Sequence, residues 1–143
     1  MRREEGLALL LILGCSSSRM PEVRSQPGGG NELEISRIIE GALVADSRAE
    51  PADSLYAPFA SIIADGRLRR DRPRFAGVAD QGEVAITITQ LQTRGTAAWG
   101  KLEYRWVSSR SNRAQVGHAS FVLTPAQHRP GWWIVQLHSS TAR

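Results

Sequence analysis

A chain of 143 residues that is 41% hydrophobic and carries a formal charge of +4 has room for one domain around one core, not for several. Its single cysteine, Cys15, excludes an internal disulfide and a CxxC-type metal or redox site. Its longest apolar run, Gly6 to Leu13, spans about eight residues, far short of the roughly 20 needed to cross a bilayer.

The chain opens with the layout of a secretory signal: Arg2 and Arg3, then the apolar run, then the small residue Gly14. Ile12-Leu13-Gly14-Cys15 resembles the lipobox of bacterial lipoproteins. The resemblance implies cleavage just before Cys15, diacylation of its sulfur and a lipid-anchored protein of the bacterial cell envelope, at the outer membrane or the periplasmic face. The uncharged Ser16 suits outer-membrane sorting in a Gram-negative host. The alternative is an ordinary buried cysteine in a cytoplasmic protein. Glu4 and Glu5 offset Arg2 and Arg3, so losing the signal leaves the formal charge unchanged. The segment SSSRMPEVRSQPGGG that follows is rich in Ser, Pro and Gly, has no apolar period, and reads as a flexible linker. The expected organisation is a signal over residues 1–14, a linker over 15–30 and one domain over 31–143.

Asn31 followed by Glu34 offers a helix N-cap with its capping-box partner. Ile35, Ile38, Ile39, Ala42 and Leu43 then recur at helical spacing, with Arg37, Glu40 and Asp46 mostly on the other side, which predicts an amphipathic helix over 32–47. A short helical turn is expected over 52–56, between Pro51 and Pro58. From there the period becomes two. FASIIADGRLRR reads as strand, Asp65-Gly66 turn, strand. RDRPRFAGVADQGE reads as loop. EVAITITQLQT, AWGKLEYRWVS, AQVGHASFVL and WWIVQLHSS are four strands near ten residues each, with turns at 109–113 and 126–131. Long strands joined in sequence imply a strongly curved antiparallel sheet, with the one helix packed in its concave face. The class is α+β, cone-like in shape.

GWWIVQLHSS, residues 131–140, resembles the last strand of SnoaL-like proteins, which have the nuclear transport factor two-like fold; Trp132, Ile134, Val135, His138, Ser139 and Ser140 carry the match. DSLYAPFASIIADGR, residues 53–67, resembles the same family's second helix and first hairpin, so the likeness spans the whole domain. The fold hosts isomerases, dehydratases, cyclases and epoxide hydrolases as well as proteins without catalysis, so it does not by itself decide function. Ketosteroid isomerase, a relative, uses an Asp base with a Tyr and a protonated Asp as its oxyanion hole, a system that also serves as a general example of pKa tuning. By this resemblance Asp65 lies at the base position. Ile38 stands at the Tyr position, and Ser120 or Phe121 stands at the oxyanion Asp, so neither oxyanion donor is present.

The candidate site residues follow from the faces of the strands. His138 shares its alternation with Trp132, Ile134 and Gln136. If that face lines the cone, His138 points inward, as a ligand-binding or proton-moving group or as a hydrogen-bonded core histidine. Ile38, Tyr56, Tyr104, Trp106 and His118 complete the expected lining, with Asp65 and His138 as the acid/base candidates. Asp65 also has a sufficient role as a turn residue, and the tryptophans as core. His118, His128 and His138 show no HExxH spacing, so neither a metal nor a cofactor is expected. GTAAWGKL misses the P-loop, ending in Leu102 where Ser or Thr is required. GRLRRDRPR places five arginines, Arg67 to Arg74, where they could hold an anion or simply be solvated. Nucleic acid is not an expected partner of an exported protein. The functional expectation is a domain that binds a small hydrophobic molecule or acts as an accessory without catalysis. The alternative is an isomerase, dehydratase or lyase using Asp65 and His138. A homodimer through the outer sheet face is the expected assembly.

Lipidation is checked by intact mass. Membrane-fractionated protein should begin at an acylated Cys15, and a Cys15→Ala protein should be neither matured nor acylated. Wild-type protein recovered from the cytosol with Met1 intact overturns the expectation.

Overall fold

The apolar spacing at positions 35, 39, 42 and 43 is realised as helix α1, Gly29–Ser47, in a computed structural model that describes residues 29–142. The signal segment, Cys15 and all but the end of the linker lie outside the described residues. The helix starts two residues ahead of Asn31, which therefore sits in its first turn and does not cap it. Ile35, Ile39, Ala42 and Leu43 are buried, while Arg37 and Glu40 are exposed. Asp46 departs from the expected polar face and is buried. The reason is periodic: 46 extends the 35, 39, 42 stripe by one more turn of the same face.

A 3-10 turn, Asp53–Leu55, stands where a short helical turn was expected and leads into β1, Tyr56–Ala64. Asp65 and Gly66 take φ of 48° and 74°, the pair of positive values a two-residue I′ hairpin requires, and β2, Arg67–Leu68, pairs back on Ala64 and Ile63. Strands β3, Gly82–Arg94, β4, Ala97–Ser108, β5, Ala114–Pro125, and β6, Trp132–Thr141, form an antiparallel meander. Among the described residues the six strands make one curled, unclosed sheet in the order β2-β1-β6-β5-β4-β3. The expected antiparallel pairing holds for the meander and the hairpin. However, β1 joins β6 in parallel, so the sheet is mixed. α1 lies against it, in contact with β3 and β6, and the class is α+β as expected.

The loop after β2 has neither helix nor long strand, yet it closes one side of the core. Phe75, Ala76 and Val78 are buried. Arg74 N and Phe75 N both donate to Asp46 Oδ2, at 2.7 and 2.8 Å. Ala76 N donates to Ser139 Oγ at 2.9 Å, and Tyr104 Oη donates to Ala76 O at 2.5 Å. The Phe75 ring meets Tyr104 edge-on, with centroids 5.9 Å apart. Gly117 faces Tyr104 across β4 and β5, and a Cβ there would come within 2.3 Å of Tyr104 Cζ, so the tyrosine ring lies where a side chain would be.

Strand β6 does not keep one alternation along its length. Leu123 pairs with Ile134, but Val122 pairs with Gln136, so β6 carries one extra residue at Val135. Ahead of this bulge Trp132 and Ile134 face the core; beyond it Leu137 and Ser139 do. The bulge turns Gln136 and His138 to the outer face.

Asp46 anchors the loop to the helix, and its removal should be measurable. Asp46→Ala leaves two buried N–H groups without an acceptor and should cost about 2 to 4 kcal/mol in denaturant unfolding, whereas Asp46→Asn keeps an acceptor oxygen and should cost less. Burial raises the Asp46 carboxyl pKa above the usual range, against the opposing pull of the Phe75 and Arg74 amides and the Arg74 charge. Because the native pKa is raised, its contribution is full below the unfolded value of about 3.9 and is lost as pH rises through the native one. Asp46→Asn should flatten that part of the stability profile.

Candidate functional site

The residues expected to line an open cone divide into two groups. Tyr56, Tyr104, Trp106 and Trp132 point inward, but they are buried members of a continuous core with Phe75, Phe121 and Leu137; Ile38 packs half-buried against it. The interior of the cone is therefore occupied by side chains around Tyr104 and the loop that carries Phe75. His118, Gln136 and His138, by contrast, stand exposed on the outer face of the sheet. This corrects the inward placement expected for all three; the bulge at Val135 is the cause for Gln136 and His138, while His118 falls on the outward alternation of β5. The two histidines do share a face: His118 opposes Ser140 and His138 opposes Ser120 on neighbouring strands. They border a shallow depression of about 270 Å³ with Thr89, Lys101 and Glu103. His118 Nδ1 lies 3.7 Å from Glu103 Oε1.

Asp65 is at the exposed tip of the β1–β2 hairpin. Its carboxylate accepts from Thr141 N at 2.8 Å and from Thr141 Oγ1 at 3.1 Å, and its own amide donates to Ser139 O at 2.9 Å. These bonds tie the hairpin to the end of β6. Asp65 and His138 are thus held apart in role, one in a turn and one on the outer face, and do not converge on an enclosed cavity. Among the described residues no cluster of three His, Cys, Asp or Glu side chains is placed to hold a metal ion.

A larger concavity among the described residues lies elsewhere, as an open groove of about 790 Å³ along β1 and β2. Three local features build it. The pairing of β1 with β6 is irregular between Tyr56 and Ser61, which leaves Pro58 and Phe59 outward. The short β2 covers only the end of β1, and the chain then returns with Arg69 N donating to Ile62 O at 2.8 Å. Finally, Asp46 pins the backbone at Arg74, which sets the Arg74 guanidinium over the Tyr56 ring, 4.4 Å from its centroid.

The electrostatics of this groove are unequal. The Arg74 side chain is only 9% exposed, and its Nη2 pairs with Oδ1 of Asp53, whose side chain is 77% exposed. The guanidinium holds the Asp53 carboxyl below its usual pKa. Burial pushes the Tyr56 hydroxyl far above the usual phenol range, so it stays protonated as a donor. Tyr56 Oη, Arg69 Nε, and Arg74 Nε and Nη1 are buried without a hydrogen-bond partner in the protein. Sequence reasoning noted the run Arg67 to Arg74 but could not separate its members. Arg67, Arg70 and Arg72 are exposed, Arg69 is half-buried and Arg74 is buried. Asp53 and Arg74 had no sequence signal as a pair, because they are 21 positions apart and meet only through the return of the loop.

No family model matches the chain, and no curated protein matches it. Solved structures do match, and they define the class. A nuclear transport factor two-like protein from Shewanella baltica aligns with a TM-score of 0.62 at 14% identity, over 82% of this chain and 98% of its own. A candidate dehydratase of the same fold family from Streptomyces avermitilis aligns at 0.60 and 13% identity, over 80% and 98%. The association domain of CaMKII from C. elegans aligns at 0.53 and 18% identity, over 79% and 97%. The chain has the nuclear transport factor two-like fold. These neighbours share its architecture at low identity and do not specify an activity.

The inside and outside of the sheet give contrasting substitutions. Tyr104→Phe removes the bond to Ala76 O and should cost about 1 to 3 kcal/mol. His138→Gln on the outer face should leave stability within about 0.5 kcal/mol. Paired denaturant curves check both, and a large loss for His138→Gln would place it in the core.

Proposed function

We propose that this domain is a binding or accessory module that holds a small hydrophobic molecule, tethered to the bacterial envelope through a lipidated Cys15, with no acid–base centre of its own. The observation that carries the reading is that the two acid/base candidates line no common concavity among the described residues: His138 borders the shallow outer-face depression, and Asp65 does not. The Asp65 carboxylate is engaged by Thr141 at a hairpin tip, and His138 stands on the outer face. General acid–base work needs both groups within hydrogen-bond reach of one bound substrate. Ile38 at the helix offers no oxyanion donor, and the interior is filled around Tyr104. The hydrophobic-ligand part of the reading is supported by the groove along β1 and β2, whose walls include Phe59 and Leu68. A fold that serves as an association domain in a C. elegans neighbour is consistent with a homodimer through the outer sheet face.

The competing reading is an isomerase, dehydratase or lyase that uses Asp65 and His138. The test assays the purified protein on β,γ-unsaturated ketosteroids, with Asp65→Asn and His138→Gln alongside. The expected result is no turnover above the solvent rate in any of the three. Wild-type turnover that both substitutions remove establishes the enzyme and discards the accessory reading.

A further inference from the structure

We propose that the groove along β1 and β2 binds an amphiphilic carboxylate, its oxyanion held by Arg74, Arg69 and Tyr56 and its apolar body lying along Phe59 and Leu68. The inference rests on the small-molecule-binding reading and names the chemical class of the ligand.

The first support is where the unmet hydrogen-bond donors fall. Six buried side-chain nitrogen and oxygen atoms among the described residues have no partner in the protein, and four of them belong to Tyr56, Arg69 and Arg74. All three residues line this one groove. A buried donor without an acceptor is destabilising, a charged one most of all, so native proteins leave few of them. Four on three residues that line one concavity mark it as the place where acceptors are wanting. The two guanidinium groups carry donors and no acceptor, and the Tyr56 phenol, kept protonated by burial, adds an O–H.

Charge selects the sign of the ligand. Arg69, Arg70 and Arg74 line the groove against one carboxylate, Asp53. Arg74 is buried, and a buried guanidinium requires an anionic partner. Its partner in the fold is Asp53, a side chain 77% exposed at the groove's rim. Such a contact lies where solvent and a competing anion can both reach it, so Asp53 occupies the position that a ligand carboxylate would take.

Apolar surface selects the rest of the molecule. Four large hydrophobic residues are prominently exposed among the described residues, and the two most exposed, Phe59 at 64% and Leu68 at 63%, both line this groove. A bare inorganic anion would leave them in water, and a neutral hydrocarbon would leave the donors unmet. A carboxylate with an apolar chain answers both. The groove volume of about 790 Å³ falls within the usual range for small-molecule sites, about 300–1,000 Å³.

The experiment is calorimetric titration of the full chain with octanoate below its micellar concentration, with octanol and inorganic phosphate as comparison probes. Octanoate should bind saturably, and octanol and phosphate at least about tenfold more weakly. Tyr56→Phe and Arg69→Gln should each weaken octanoate by about tenfold. Asp53→Asn should tighten it several-fold, a gain that a damaged fold would not produce; thermal midpoints of the variants verify folding. Octanol binding as tightly as octanoate and indifferent to Arg69→Gln overturns the carboxylate inference and leaves the hydrophobic-ligand reading standing. Phosphate binding as tightly as octanoate overturns the amphiphile and leaves a plain anion site. Saturation by none of the three overturns both this inference and the reading on which it rests.

Discussion

Two backbone N–H groups, those of Arg74 and Phe75, end on one carboxylate oxygen of Asp46 in the last turns of the helix. A loop without helix or sheet has no ladder of its own to satisfy such groups, so a buried loop requires side-chain acceptors. With that anchor in place, Phe75 packs in the core against Tyr104, and Ala76 is caught between Ser139 and the tyrosine hydroxyl. The same anchor sets the Arg74 side chain over Tyr56. The plug that fills the cone and the guanidinium in the groove are thus two consequences of one buried carboxylate.

Filling the cone changes what the fold can do. A curled sheet with helices on its concave side makes an enclosed chamber when the segment between hairpin and meander stays clear of it. Here that segment supplies Phe75, Ala76 and Val78 to the core. The concavity moves to the rim, where β2 is too short to cover β1 and the walls mix arginines with exposed Phe59 and Leu68. A group bound at this open, cationic and partly apolar rim stays in contact with water, whereas developing charge is best stabilised where water is absent. The fold neighbours, with a candidate dehydratase and an association domain among them, leave both uses open to the architecture. The local chemistry has to separate them.

Much of the architecture was legible in the chain because its signals are local. The helical stripe of Ile35, Ile39, Ala42 and Leu43 and the alternation of Leu102, Tyr104 and Trp106 recur at the periods their elements impose. Asp65-Gly66 specified its hairpin through the positive φ that few residues accept. The burial of Asp46 was also written there, as the next step of the same stripe, but its charge masked the periodicity.

Other features were decided only when strands met. The parallel union of β1 with β6 depends on two segments 75 to 78 positions apart, with registers such as Ser61 opposite Gln136. The groove needs that union, the brevity of β2 and the return of the loop, none of which has a local mark. His138 shows the principle most directly. By sequence it alternates with Trp132 and Ile134, and a period of two places all three on one face. Pairing with β5 inserts one extra residue at Val135, and every side chain beyond it changes face. Sequence therefore determined which residues form strands and which prefer the core. Tertiary structure decided which face each residue presents, because a bulge arises from the fit of two strands and neither strand's own pattern contains it.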